Sequence, residues 1–386
     1  MSAATPPASG LDRADYRGLS LDVGRKAFTV EGVVALVRRM AELELTALHL
    51  HLSETHRVGV RLPGFEHLAA EDAWDAADVR RIRAAADAAG IALVPEIDLP
   101  SHAAALLVGR EELHLRDRTG TRHTDRLDVS RPAALDLALG LLDSASQAFP
   151  GDAIHLGGDE YFAAPWEDEE AQRPDYFPSL LEHARAEIGP TATALDSYAL
   201  FMNALATRAR ELGRTPMMWN DHVVPERERP AVPIDRDVVV DVWIRWREWT
   251  PSVRDYLDSG YRVVNSHGDQ LYLVLAADDP PEPHGIRRFG RLEDTFAPRR
   301  FMGLAAQDRH LEVPRVPAGT PDPVLGASLS VWCDAPDSLP EQELWPLLDT
   351  WLVPFARAMA GHGTRVGLSG LPGAGSGPPD MPGSPR

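Results

Sequence analysis

Short runs rich in β-branched residues or leucine alternate with amphipathic helices along most of this 386-residue chain. Such alternation is typical of parallel strands joined by helical crossovers. Eight strands are predicted, at Leu19–Val23, Ala47–Leu52, Ala92–Ile97, Ala153–Leu156, Pro216–Trp219, Val238–Trp243, Arg262–Asn265 and Ala327–Trp332. Eight strands with crossovers close most simply as a single (β/α)₈ barrel, the TIM-barrel fold.

Capping residues mark where several of the intervening helices begin and end. Thr29 is expected to cap a helix whose apolar positions recur at helical spacing from Val30. Asp75, with Asp78 three residues later, predicts a capping box for a helix that stops at Gly90. Further helices are predicted over Leu135–Phe149, Leu195–Leu212 and Glu341–Ala360.

A doubly wound open sheet is the alternative α/β fold. Such sheets usually carry a glycine-rich phosphate-binding turn after the first strand, and the segment Leu21–Arg25 is not one. The barrel is therefore favoured. Two connections, roughly residues 161–194 and 272–325, are longer than ordinary links, and we expect these long βα loops to wall the active face.

Both ends of the chain have the composition of tails. Residues 1–15 are rich in Ala, Pro and Ser, and the 26 residues from Gly361 to Arg386 include eight Gly and five Pro. Segments of this kind cannot bury enough apolar surface to offset the entropy of ordering. We expect a flexible N-terminal tail over 1–15, one barrel domain over 16–360 and a disordered C-terminal tail over 361–386.

The charge balance limits the partners of the chain. The chain carries 39 basic and 58 acidic side chains, a formal charge of −19. Phosphate backbones and anionic lipid would repel it, so we expect no nucleic-acid and no membrane partner. Its single cysteine, Cys333, can form no intramolecular disulfide. Because the first fifteen residues lack the apolar segment of a signal peptide, we expect a cytoplasmic protein.

Side chains at the C-terminal ends of barrel strands form the active sites of such folds. In this chain those positions carry acids, histidines and several tryptophans: Arg25, His51, Glu54, Glu96, Asp98, His102, Asp159, Glu160, Trp219, Asp221, Trp243, Tyr272, Trp332 and Asp334. Indole rings stack on the apolar faces of sugars, and carboxylates and arginine hydrogen-bond sugar hydroxyls. The pattern therefore predicts a saccharide pocket.

The fourth predicted strand ends in Gly157-Gly158-Asp159-Glu160, the most informative segment of the chain. Two glycines let the backbone turn sharply and leave room for a ligand. The side chains of neighbouring residues diverge, so the two acids cannot be equivalent partners. We expect one to donate a proton to a leaving group and the other to orient a second group.

The motif His-x-Gly-Gly-Asp-Glu at His155–Glu160 resembles the signature of family 20 glycoside hydrolases, the β-N-acetylhexosaminidases. The resemblance covers roughly residues 16–360. It also includes Tyr16–Arg25, Leu48–Glu54, Glu96–His102, Met218–Asp221, Val242–Trp243, Tyr272–Leu273 and Val331–Asp334, in the family's order.

The resemblance implies an exo-acting, retaining hydrolase that needs neither a cofactor nor a metal. Its partner would be an oligosaccharide or glycoconjugate with a terminal N-acetyl-hexosamine. The 2-acetamido oxygen of the sugar would attack C1 and form an oxazolinium, in place of a protein nucleophile.

The same resemblance implies a role for each site residue. Asp159 would orient the acetamide, and Glu160 would be the general acid and base. Tyr272 would hydrogen-bond the acetamide oxygen, and Trp219, Trp243 and Trp332 would enclose the sugar. Arg25 and Asp334 would bind its hydroxyls. His102 and Glu54 would form a relay behind the acid.

Several positions depart from the family pattern. Glu54 stands where the family usually has Asp, and Ser101 replaces a glycine. Val274 replaces an Asp or Asn, and Asp334 replaces a longer Glu that usually binds the O4 and O6 side of the sugar. The acetamide-binding and acid groups are retained, whereas the O4 and O6 contacts are altered.

Two other functions remain open from the sequence. His49 and His51 would share the barrel-facing side of one strand and could chelate zinc, as in amidohydrolase-like barrels. The alternative for these residues is a pair of hydrogen-bonded interior histidines. A non-catalytic sugar-binding barrel would keep the tryptophans but would not need the acid pair Asp159 and Glu160.

Overall fold

Eight parallel strands form a closed barrel in the computed structural model, which describes residues 15–162, 174–224, 230–245, 250–276, 292, 296–303, 310–317 and 319–360. Around the barrel the strand order is β1, β2, β3, β6, β7, β8, β9 and β13, and β13 pairs with β1 to close the sheet. These strands are β1 (Tyr16–Asp22), β2 (Ala47–His51), β3 (Ala92–Leu99), β6 (Ala153–Gly157), β7 (Thr215–Trp219), β8 (Val239–Val242), β9 (Arg262–Asn265) and β13 (Val324–Trp332). The predicted (β/α)₈ barrel is confirmed.

Strands β1 and β13 both start three residues earlier than predicted. They pair with each other from Tyr16↔Gly326 to Leu21↔Val331. A glycine in each strand, Gly18 and Gly326, interrupts the apolar run and hides its beginning from the sequence pattern. A Cβ on Gly326 would lie 1.9 Å from the carbonyl oxygen of Tyr16, so the close pairing requires glycine there.

Helices flank the barrel strands: α1 (Val30–Glu42), α2 (Ala76–Ala89), α3 (Pro132–Ala148), α4 (Pro178–Glu187), α5 (Ala194–Glu211), α6 (Val253–Asp258), α7 (Gly268–Leu271) and α8 (Glu341–Ala360). The predicted caps are confirmed. The Thr29 side chain accepts from the backbone N–H of Gly32, Asp75 and Asp78 form a capping box, and Gly90 is left-handed with φ 70°. No described helix is long and apolar enough to cross a membrane.

Shorter strands accompany the eight strands of the barrel. An antiparallel hairpin of β4 (His114–Arg116) and β5 (Arg122–Leu127) follows β3, and a second pairs β11 (Arg300–Met302) with β12 (His310–Glu312). Strand β10 (Tyr272–Val274) pairs with the last residues of β13. Parts of the two long connections, and the predicted tails apart from Asp15, lie outside the described residues.

An apolar layer closes the N-terminal end of the barrel. It takes one side chain from every barrel strand: Tyr16, Ala47, Val94, Ala153, Met217, Val239, Val264 and Leu325. The interior positions nearer the C-terminal ends are polar and equally buried, among them Ser20, His49, Glu96 and Asp241. The polar interior can therefore serve a site only at the C-terminal end of the barrel, where the sequence predicts it.

Candidate active site

The loop after β6 holds its two acids in an unusual backbone conformation. Gly157, Gly158 and Glu160 all have positive φ, at 76°, 103° and 52°. A Cβ on Gly157 would lie 2.1 Å from the Asp98 carboxylate, and one on Gly158 would lie 2.8 Å from the Tyr198 hydroxyl. The two glycines are therefore required by close packing as well as by the turn. For Glu160 the left-handed conformation is strained and must be held by its surroundings.

Neighbouring side chains hold the carbonyl groups of this loop. The Tyr198 hydroxyl donates to the carbonyl of Gly158 at 2.6 Å. The Ser101 hydroxyl donates to the carbonyl of Asp159. Ser101, one of the predicted departures from the family pattern, thus contacts the backbone of the acid pair.

A chain of charged side chains joins the acid pair to the first strand. Nε2 of His102 lies 3.5 Å from Asp159 and 3.4 Å from Glu160, and its Nδ1 lies 2.5 Å from Glu54. Glu54 in turn accepts from Arg25 at 2.7 Å. The structure therefore brings together Arg25, Glu54, His102, Asp159 and Glu160 from four strand ends.

The charges of this chain reinforce one another. Burial alone would lower the pKa of His102, but the negative charge of Asp159 and the hydrogen bonds of Glu160 and Glu54 raise it well above its ordinary value. Burial would raise the pKa of Glu54, but its bond to His102 holds that pKa far below the usual range. The pair is thus an imidazolium bound to a carboxylate.

Asp98, on β3, adds a carboxyl group directly behind Asp159. Oxygen atoms of Asp98 and Asp159 and a nitrogen of His102 lie within 4.8 Å of one another. Burial, and then the charge of Asp159, raise the pKa of Asp98 well above its ordinary value. Burial also raises the pKa of Asp159, and the charge of His102 and a hydrogen bond from a protonated Asp98 partly offset that rise.

Four aromatic side chains line the mouth of the barrel. Trp243 and Tyr272 are parallel within 6° with ring centroids 6.0 Å apart, and Trp332 lies edge-on to Tyr272 at 5.6 Å. Trp219 contacts Trp332 at 5.9 Å. Val274 belongs to the same apolar cluster. Together these rings form an apolar cage beside the acid pair.

The floor of the site is a single buried carboxylate with four partners. Glu96 lies 2.5 Å from His51 Nδ1, 3.0 Å from His49 Nε2 and 2.9 Å from His155 Nδ1, and it accepts from the indole N–H of Trp219 at 2.8 Å. Despite its burial, the positive charge of His51, whose own pKa is raised, lowers the pKa of Glu96 well below its ordinary value. Glu96 thereby fixes the orientation of a cage residue, Trp219.

Two of these histidines, His49 and His51, are the pair that the sequence proposes as zinc ligands. Among the described residues, possible metal ligands lie within 4.8 Å of one another in three groups, which are His49–Glu96–His155, His51–Glu54–Asp98 and Asp98–His102–Asp159. Nδ1 of His51 forms a hydrogen bond to Glu96, which favours an interior hydrogen-bonded role for that residue. Nε2 of His49 lies 3.0 Å from Glu96, but neither ring nitrogen of His49 has a hydrogen-bond partner.

Arg25 forms the rim on the β1 side. It donates to Asp22 at 2.9 Å and to Glu54, and its guanidinium lies 5.6 Å from the ring centroid of Trp332. Asp334 is 3.9 Å away from Arg25 and its side chain is 57% exposed. Asp334 is thus the most open of the predicted sugar-binding residues.

All ten predicted site residues therefore lie around one mouth, although their chemical roles stay predictions. The sequence analysis assigned no role to Asp98, Glu96 or Asp221. Each lies at the end of a predicted strand, and Asp98 is two residues after Glu96 on the same face of β3. That spacing was available in the sequence, but the partners of these three acids were not.

Comparison with known proteins identifies what the chain resembles. The model of "Glycosyl hydrolase family 20, catalytic domain" matches residues 15–347. A β-N-acetylhexosaminidase of Cellulomonas fimi is 26% identical over 365 residues, which are 90% of this chain and 63% of that protein. The chain thus spans less than two thirds of the length of this relative.

Solved structures show the same fold at lower identity. An exo-β-N-acetylglucosaminidase from Vibrio harveyi, solved in complex with N-acetylglucosamine, superposes with a TM-score of 0.65 at 20% identity, covering 89% of this chain and 54% of that one. Dispersin B superposes with a TM-score of 0.66 at 17% identity, covering 89% of this chain and 99% of that one.

Proposed function

Because the chain belongs to glycosyl hydrolase family 20, we propose that it is an exo-acting, retaining β-N-acetylhexosaminidase. The observation that carries the proposal is the juxtaposition of two acids with different surroundings and an aromatic cage in one mouth. Asp159 is flanked by Asp98 and His102, whereas the backbone of Glu160 is held in a left-handed turn toward the cage side. The two acids can therefore have different chemical roles.

Glu160 is the proton donor in this proposal. Its carboxyl lies 3.4 Å from the His102 imidazole, which Glu54 holds in place from behind. Once Glu160 has given its proton to the leaving oxygen it is a carboxylate, which an imidazolium at this distance stabilises, and the same glutamate then takes a proton from the attacking water and is restored as the acid. Positioned acid–base catalysis of this kind contributes roughly 10²–10⁴-fold to the rate.

Asp159 acts on the nucleophile, which belongs to the substrate. A carboxylate beside the acetamide N–H would orient the group and stabilise the positive charge that develops as its oxygen attacks C1. The Tyr272 hydroxyl would bind the acetamide oxygen, while Trp219, Trp243 and Trp332 would enclose the methyl group and the ring. Holding an internal nucleophile in this way replaces an attacking side chain.

The substrate class follows from the same groups. Relatives of this chain are named for N-acetylhexosamine and N-acetylglucosamine hydrolysis. We propose oligosaccharides or glycoconjugates that end in such a sugar. Arg25 and the exposed Asp334 would bind its hydroxyls. The predicted cytoplasmic location stays a prediction.

The decisive test compares aryl 2-acetamido-2-deoxy-β-glycosides with the matching aryl glucoside that lacks the acetamide. Wild type should hydrolyse only the acetamido substrate. Glu160→Gln and Asp159→Asn should each lower kcat by roughly 10²-fold or more, since each removes an interaction made in the transition state. Equal turnover of both glycosides would refute the substrate-assisted mechanism, and full activity of Glu160→Gln would refute the assigned acid.

Two further measurements distinguish the proposed hexosaminidase from a zinc-dependent hydrolase and from a sugar-binding barrel. Treatment with EDTA should leave hydrolysis unchanged, whereas a zinc-dependent hydrolase would lose activity. A thiazoline analogue of the cyclic intermediate should bind far more tightly than the free amino sugar, because it resembles the transition state. A sugar-binding barrel without catalysis would bind the free sugar and show no such preference.

A further inference from the structure

Asp221 connects two parts of the site that come from different strands. It follows β7 by two residues, and each of its carboxylate oxygens accepts a hydrogen bond from another strand end. Oδ1 accepts from the backbone N–H of Glu160 at 3.3 Å, and Oδ2 accepts from the indole N–H of Trp243 at 2.7 Å. One side chain thus contacts both the acid-bearing loop and the aromatic cage.

The contact to Glu160 acts where the backbone needs support. Glu160 is a non-glycine residue at φ 52°, a left-handed conformation that persists only where the surroundings hold it. Tyr198 and Ser101 hold the carbonyl groups of the two preceding residues. The Asp221 bond engages the amide of the acid itself, and so bears directly on where the Glu160 carboxyl points.

The contact to Trp243 fixes the rotation of a cage wall. An indole whose N–H is bound at 2.7 Å cannot turn about its side-chain torsions without losing that bond. Trp243 in this rotamer is parallel to Tyr272 within 6°. The orientation of the cage therefore depends on the same carboxyl that supports the acid.

Partial burial and the negative charge of Asp159 raise the pKa of Asp221, while the N–H groups of Trp243 and Glu160 favour its ionised form. Both partners are donors, so the arrangement uses both oxygens as acceptors. An asparagine would turn an NH₂ group toward one of these two N–H groups and keep the other bond, whereas an alanine removes both acceptors.

We propose that Asp221 is a positioning residue that couples the placement of the Glu160 acid to the shape of the acetamide cage. The inference rests on the proposed hexosaminidase function. It assigns to Asp221 no contact with the reacting atoms. Loss of Asp221 should therefore impair protonation of the leaving group and binding of the acetamide together.

The test measures Asp221→Ala on two aryl 2-acetamido-2-deoxy-β-D-glucosides, one with a phenyl and one with a 2,4-dinitrophenyl leaving group. The dinitrophenolate leaves without protonation, so misplacement of Glu160 should matter little for it, and only the damage to the cage should lower its turnover. For the phenyl substrate kcat/KM should fall about 100-fold, as expected for loss of both hydrogen bonds. The loss on the dinitrophenyl substrate should be at least ~10-fold smaller. The Kd of the thiazoline inhibitor should rise by about 10-fold.

Two variants serve as controls. Trp243→Phe removes the indole N–H but leaves the Glu160 contact, so it should weaken the thiazoline and affect both substrates equally. Asp349→Ala makes the same chemical change on α8, where the carboxylate pairs with Arg39 far from the mouth, and its kcat/KM should match wild type. Unfolding midpoints and active-site titration report the folded fraction of each variant.

Equal losses of kcat/KM for Asp221→Ala on the two leaving groups, or an unchanged Kd for the thiazoline, would overturn the inference. Both results would be compatible with an active hexosaminidase, so the proposed function would survive them. Failure of the wild-type protein to hydrolyse either glycoside would overturn the proposed function and this inference with it.

Discussion

Asp241 offers the sharpest quantitative prediction, because it is a carboxyl group buried in the interior of the barrel. It lies on β8, is fully buried, and is hydrogen-bonded to the Ser266 hydroxyl. Burial raises the pKa of Asp241 to about 7, and the negative charge of Glu96 adds to the effect. We propose to replace it with asparagine, which has nearly the same shape and does not ionise.

The magnitude follows from the linkage between protonation and folding. In the unfolded chain Asp ionises with a pKa near 4, whereas in the folded protein it holds its proton to about pH 7. Between these values the folded state binds more protons, so stability falls as pH rises, and the loss is complete above the folded pKa. At about 1.4 kcal/mol per pKa unit, the full loss is roughly 4 kcal/mol, of which about 2–3 kcal/mol falls between pH 5 and pH 8.

The assay is urea unfolding of wild type and Asp241→Asn at pH 5 and pH 8. Other titrating groups are common to both proteins, so the difference between their unfolding free energies isolates Asp241. Relative to wild type, the free energy of unfolding of Asp241→Asn should rise by about 2–3 kcal/mol between pH 5 and pH 8. The free energy of unfolding of Asp349→Asn should change with pH in the same way as that of wild type. A pH-independent difference for Asp241→Asn would refute the reasoning, because it would mean that Asp241 ionises alike in both states.

Two other substitutions test the site. Gly157→Ala should cost more than ~2 kcal/mol of unfolding free energy, because its Cβ would lie 2.1 Å from Asp98. Gly120→Ala, also at positive φ but with open space around it, should cost only about 1 kcal/mol by the same urea titration, and equal costs would contradict the packing argument. Glu54→Gln should lower the pKa of His102 and shift the alkaline limb of the kcat/KM profile to lower pH, since the imidazolium loses a negative partner. If the alkaline limb did not move, protonation of His102 would not control kcat/KM.

The fold was largely predictable because its determinants are local. Apolar runs, caps such as Thr29 and Asp75, and the stop at Gly90 depend on neighbours in sequence, and the structure has all of them. The place of the site was also predictable, because a barrel brings the C-terminal ends of all its strands to one mouth. The glycines at positions 18 and 326 hid the true starts of two strands, because a glycine required by close pairing looks like an interruption.

The sequence by itself determined the barrel and the order of the strand ends, both of which depend on periodicity and spacing along the chain, and it indicated Asp159 and Glu160 as the candidate acids. Only the tertiary structure decided which partner each acid meets. Glu96 is bound by side chains from β2, β6 and β7, and Asp221 reaches Glu160 and Trp243 across separate strand ends. Hydrogen bonds and pKa values depend on distance and burial in space, and no spacing along the chain specifies them.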